Sequence, residues 1–143
     1  MVAYLDSSVL MRHILLGDSG IRQVLECDSL ISSELLEIEC KRVLHRYRLQ
    51  GDLDDLGFLE AVNRLEAVLS GVSLLLLSAD VKKRSAEAFP VHMRTLDAMH
   101  LSSALIFQTA RPNEALLFFS YDNQLNRCAR AVGFTAPFST DIR

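Results

Sequence analysis

Cysteine, proline and net charge are all scarce in this 143-residue chain. Its three cysteines, Cys27, Cys40 and Cys128, are odd in number, and no two stand at a metal-type spacing. That argues against a disulfide framework or a zinc site and leaves them as small core residues of a cytosolic protein. The three prolines, at positions 90, 112 and 137, each fall in or near a loop. There is no linker, repeat or low-complexity segment to divide the chain. No basic region followed by a long apolar core opens the sequence, so no signal peptide is expected. The apolar run at 72–77 is far too short to span a bilayer. Formal net charge is only −3, which argues weakly against a nonspecific nucleic-acid coat protein but does not exclude a nuclease. Setting four of the 18 acids aside in one site leaves 14 against 15 Lys and Arg, a nearly neutral body.

What is present is 50% apolar and 23% charged, the balance of a single globular domain, residues 1–143, able to bury a core. Val2–Leu5 reads as a buried strand with Asp6 at its carboxyl end. A short helix over 9–15 stops near Gly17, and a second covers 21–27. Residues 29–32 read as a strand. Ser33 opens a long helix to about Leu49, with Leu36, Cys40, Val43, Leu44 and Tyr47 on its apolar stripe. Asp52 opens another, carrying Leu56, Leu59, Val62, Leu65 and Leu69, so the two predict an α-hairpin. Residues 74–77 read as a buried strand and 79–89 as a helix ended by Pro90. A nearly all-apolar helix over 96–107 belongs in the interior. Leu116–Phe119 is a strand, 122–132 a helix ended by Gly133, and 135–137 a last edge strand. Strands alternating with helices predict an α/β fold with a parallel sheet covered on both faces.

Four acids occupy matching places. Asp6 ends the first strand, and Asp122 follows the strand at 116–119 by three residues. Asp97 lies in the first turn of the most apolar helix, and Glu39 at the margin of an apolar stripe. Each has an ordinary alternative. Asp6 and Asp122 are good N-cap residues. Asp97 suits the positive end of its helix. Glu39 has Arg42 and Arg46 at helical spacing. If the four converge, their repulsion is severe: two like charges about 4 Å apart cost roughly 4 kcal/mol at an effective dielectric near 20. Raised pKa values or a bound cation would relieve it. Oxygen ligands without His or Cys suit a hard ion, Mg²⁺ or Mn²⁺. The chemistry that follows is metal-assisted phosphodiester hydrolysis.

Leu5-Asp6-Ser7-Ser8-Val9-Leu10, Ser32-Ser33 through Glu39 to Val43-Leu44, Leu96-Asp97-Ala98-Met99-His100-Leu101 and Ser120-Tyr121-Asp122 resemble the ordered signatures of the PIN domain. They are most similar to those of VapC-type toxins of toxin–antitoxin pairs, and the resemblance spans essentially the whole chain. It implies a three-layer α/β/α sandwich with a central parallel sheet. It implies a cytoplasmic endoribonuclease whose Asp6, Glu39, Asp97 and Asp122 bind Mg²⁺ or Mn²⁺. RNA would be the substrate, a VapB-like antitoxin the protein partner and a homodimer the working unit.

By the same resemblance, Ser8 and Ser120 match hydroxyls that support the acids, with a helix cap and a strand-end hydroxyl as their plainer readings. Asn126, one turn after Asp122, is a candidate contact to metal-bound water. His100 is expected to be a buried, hydrogen-bonded histidine rather than a general base. Arg42 and Arg46 fall on the side of the long helix that bears Glu39, and with Arg94 they are candidates to hold RNA phosphates. A solvated helix face is the alternative for the first two. Ile38 points away from the core stripe. Among competing classes, a haloacid-dehalogenase-type enzyme would need a second Asp where Ser8 stands. A receiver domain would need a phosphoacceptor strand and a lysine loop that are not evident. A non-catalytic RNA- or protein-binding PIN domain is the main alternative.

Overall fold

Short apolar runs separated by helical segments assemble, in a computed structural model that describes residues 1–140, as one parallel sheet. Strand β1 (Val2–Leu5) lies between β2 (Ser29–Ser33) and β4 (Leu116–Phe119), and β3 (Val72–Leu75) pairs with the outer side of β2. The register sets Tyr4 opposite Ile31 on one side and Phe118 on the other. Parallel neighbours need long crossovers, and helices supply them. They are α1 (Ser7–Leu16), α2 (Ile21–Leu25), α3 (Leu35–Leu49), α4 (Asp55–Leu69), α5 (Ala79–Ser85), α6 (Thr95–Ala110) and α7 (Asn123–Ala131).

Alternation along β1 divides the core in two. Ala3 and Leu5 pack with Leu10, Leu36, Cys40, Leu44, Leu65 and Phe119, under α1, α3 and α4. Val2 and Tyr4 pack with Ile31, Leu101, Phe118, Leu125 and Cys128, under α6 and α7. The sheet is covered on both faces, giving the three-layer α/β/α architecture expected from the sequence. The chain builds outward from β1 through β2 to β3, then returns to the opposite side of β1 as β4. The order reverses between β1 and β4, and a crevice opens beyond the carboxyl ends of strands at such a point.

Several boundaries differ from the sequence reading. In α4 the buried positions are Ala61 and Leu65, with Phe58, Val62, Val68 and Leu69 packed beside them, while Leu56 and Leu59 are exposed. The Asp54 side chain caps the helix by accepting from Gly57 N at 2.7 Å. Strand β3 begins two residues earlier than expected and is not fully buried, because it forms the sheet's edge. Residues 135–137 form only an isolated bridge, Leu117 to Thr135. Helix α5 stops at Ser85, short of the expected 89. Cys40 and Cys128 are buried, Cys27 is half-buried and all three are free. Among the described residues, no helix is long and apolar enough to cross a membrane.

Candidate acidic site at the strand carboxyl ends

Asp6 leaves β1 at the reversal point and stands at the N-cap position of α1, but its side chain makes no cap bond. Its carboxylate is instead a buried acceptor. Ser8 Oγ donates to Oδ2 at 2.7 Å and Ser120 Oγ donates to the same oxygen at 2.8 Å. Each hydroxyl is itself held by a backbone donor, Ser8 by Tyr121 N at 2.9 Å and Ser120 by Asp122 N at 3.0 Å. The sequence left Ser8 open between cap and brace; here it is a brace. Asn126 is fully buried and donates from Nδ2 to the Ser120 carbonyl at 2.8 Å, so it supports the β4 loop from below.

Asp122 does act as a cap. Its Oδ1 accepts from Leu125 N at 2.9 Å, and its Oδ2 faces Arg94 Nη2 at 3.6 Å. Arg94 Nε also lies 3.5 Å from Asp97 Oδ2, so one guanidinium spans two carboxylates from two helices. That cation is mostly exposed. The Asp97 carboxyl is pushed above its ordinary range, first by burial, then by the negative charges of Asp6 and Asp122, against the opposing pull of Arg94.

Glu39 is paired neither with Arg42 nor with Arg46. It sits against His100 Nε2, and the other ring nitrogen, Nδ1, lies 2.8 Å from Tyr4 Oη. His100 is fully buried in α6, as expected. Burial drives the imidazole toward its neutral form, but the Glu39 hydrogen bond and the charges of Asp6, Glu39 and Asp97 outweigh it, leaving the pKa above the ordinary value. Burial, with the Asp6 charge, raises the Tyr4 phenol so that it keeps its proton. The signal for the His100–Glu39 pair was present only as a polar residue in an apolar helix; its partner lies 61 positions away.

All four acids line one cleft of about 670 Å³. Arg42 and Arg46 of α3 line it, as does Arg94 ahead of α6, with the exposed side chains of Ile38 and Leu96. Ser120 and Asn126 are buried behind Asp6. The cleft thus offers carboxylates flanked by guanidinium groups, the charge pattern of a site for a metal ion and a phosphate chain.

Whether the acids fit a divalent ion depends on chemistry and spacing together. The donor set is all oxygen, and Asp97 carries the mark of like charges close by. Yet among the described residues no three His, Cys, Asp or Glu side chains stand close enough to form a cage around one ion. Glu39 is engaged by His100, and Asp97 with Asp122 by Arg94. Mg²⁺ is usually held by one or two carboxylates with water and substrate phosphates, not by an all-protein cage. The cleft fits an ion in that open manner, with Asp6 held, among the described residues, through Oδ2 alone, by two hydroxyl donors and no cation.

The chain is thus a parallel α/β protein whose four acids line one cleft at the reversal point of its sheet. The chain belongs to the PIN domain family, which residues 3–131 match. Ribonuclease VapC47 of Mycobacterium tuberculosis (strain CDC 1551 / Oshkosh) is 29% identical over 112 residues, covering 78% of this chain and 73% of that protein. Among solved structures, a chain in the crystal structure of VapBC2 from Rickettsia felis bound to a DNA fragment from their promoter has a TM-score of 0.67. The match covers 95% of this chain and 97% of that one at 12% identity, and at that identity it shows the fold alone.

Proposed function

We propose that this chain is an endoribonuclease dependent on Mg²⁺ or Mn²⁺ and the toxin of a type II toxin–antitoxin pair. The observation that carries the proposal is Asp6: a buried carboxylate at the reversal point, withheld from helix capping and fixed through one oxygen by two serines. Hydroxyl donors that fix one carboxylate oxygen orient the group as the outer hydrogen-bond partners of a metal ligand do. Asp6 with one further carboxylate of Asp97, Asp122 and Glu39 would hold the ion directly, and the remaining acids of the cleft would reach it through its waters. When bound, the ion supplies activation of water and neutralisation of charge on the scissile phosphate. Arg42, Arg46 and Arg94 would hold the flanking phosphates, since guanidinium matches phosphate geometry. Ser8 and Ser120 keep the Asp6 carboxylate still, so no reorganisation is needed as charge develops.

The similarity to a ribonuclease VapC and to a chain of a VapBC complex supports a VapB-like antitoxin as partner. We extend the proposal to a homodimer acting on cytoplasmic RNA, a compartment that suits three free cysteines. The test is incubation with total RNA plus Mn²⁺, with and without chelator, beside Asp6→Asn. Cleavage that needs the metal and is lost in the variant with its fold intact is the expected result. Wild-type-like cleavage by Asp6→Asn sinks the assignment. RNA binding without turnover would instead select a non-catalytic PIN domain, a reading favoured by the engagement of Glu39 with His100 and of Asp97 and Asp122 with Arg94.

A further inference from the structure

Tyr4, His100 and Glu39 form a continuous chain of side chains from β1 through α6 to α3. Two of its three members, Tyr4 and His100, have no solvent exposure, whereas Glu39 lines the acidic cleft. A buried imidazole in a largely apolar layer is costly unless both ring nitrogens are satisfied. Both are satisfied here, and the proton directions follow from the partners. The Glu39 carboxylate can only accept, so Nε2 carries a hydrogen and donates to it whether the ring is neutral or charged. Tyr4 Oη has both a proton to give and lone pairs to receive, so it complements Nδ1 in either state. The bond to Glu39 therefore persists through any change at Nδ1.

From this geometry we infer that His100 is a positioning residue that aims the Glu39 carboxylate into the acidic cleft, with Tyr4 fixing the plane of the imidazole. The inference rests on the metal-nuclease reading of the cleft. Its consequence is that β1 governs two opposite walls of the site. Asp6 follows the strand directly, and Tyr4, two residues earlier, sets Glu39 through His100. An alternative source of order for Glu39, a pair with Arg42 or Arg46 on its own helix, is not made among the described residues. Without His100 the Glu39 side chain on α3 has no fixed partner, and its rotamers spread.

The experiment uses the full chain and compares wild type with His100→Leu, His100→Gln and Tyr4→Phe. Mn²⁺ affinity is measured by calorimetry, RNA cleavage by steady-state kinetics and folding by circular dichroism. His100→Leu is expected to weaken Mn²⁺ binding by about 10–100-fold, the usual effect of removing the partner of a metal-site group. It should lower kcat with little change in KM, because RNA binding is not what Glu39 orientation controls. His100→Gln, which keeps an N–H donor toward Glu39, should recover most of the Mn²⁺ affinity. Tyr4→Phe removes one hydroxyl without changing the core's shape and should give a smaller loss in the same direction, so the inference is testable even if His100→Leu fails to fold. Wild type that binds Mn²⁺ while folded His100→Leu or Tyr4→Phe binds it equally well overturns the positioning role alone. Failure of Gln to recover more affinity than Leu also overturns it. Wild type that binds no Mn²⁺ and cuts no RNA overturns the underlying reading, and the inference with it.

Discussion

Ser120 and Asp6 are joined by a 2.8 Å hydrogen bond although 114 residues separate them in sequence. The bond ties the ends of two neighbouring strands, β1 and β4, and fixes one carboxylate oxygen. Ser120→Ala would leave Asp6 with Ser8 as its only hydroxyl donor and deprive Asp122 N of its acceptor. The cost of such a buried unsatisfied group is about 1–3 kcal/mol, readable by chemical denaturation. Activity and divalent affinity should fall about tenfold or more. Unchanged Mn²⁺ affinity in a stable Ser120→Ala protein would show that Asp6 needs no such brace.

Asp97 gives a pH signature. Its carboxyl is raised in the folded protein, so its contribution to stability is fully present below the ordinary value of 3.8 and is lost as pH rises through the folded value. The ionised form is thus a burden at neutral pH. Without metal, Asp97→Asn should raise Tm at pH 7, and the advantage should shrink at acid pH. A variant less stable than wild type at pH 7 would contradict this sign.

Divalent ions should relieve the same burden. Mg²⁺ or Mn²⁺ at a hundredfold excess over Kd stabilises the native state by about 2.7 kcal/mol, a rise in Tm that chelator reverses. Asp97→Asn should blunt the rise while starting from a higher base. Absence of any metal-dependent shift in wild type would count against an ion in this cleft.

Arg42 and Arg46 line the cleft without a carboxylate partner within 4 Å among the described residues. If they hold RNA phosphates, replacing each by Ala should weaken single-stranded RNA binding. It should also lower the slope of log affinity against log salt by about 0.7 for each phosphate no longer held. Weaker binding with an unchanged salt slope would assign them some other role.

The sheet and the acids were legible because their signals are local. Val2–Leu5 and Leu116–Phe119 are apolar runs with the same bounds in sequence and structure, and each is followed closely by an acid. The layered fold followed from alternation of elements. The pairings within the site were not legible, since His100 with Glu39 and Arg94 with Asp122 depend on which helices meet across the cleft. Helical phase was also not legible in α4, where Phe58, Val62 and Leu65 meet the core on the side of Ala61 and leave Leu56 and Leu59 exposed. The edge strand β3 was overestimated in burial because apolarity alone does not reveal which strand has a neighbour on only one side.

The strand order also sets when the acidic site can exist. Synthesis delivers Asp6 among the first residues, but its Ser120 brace and the Asp122 carboxylate arrive only with the segment around β4. Until that segment docks beside β1, the early strands and helices can collapse without completing the cleft. A growing chain that stops before residue 116 therefore lacks one wall of the site. Assembly of the whole sheet and completion of the acidic cleft become one late event in the making of the chain.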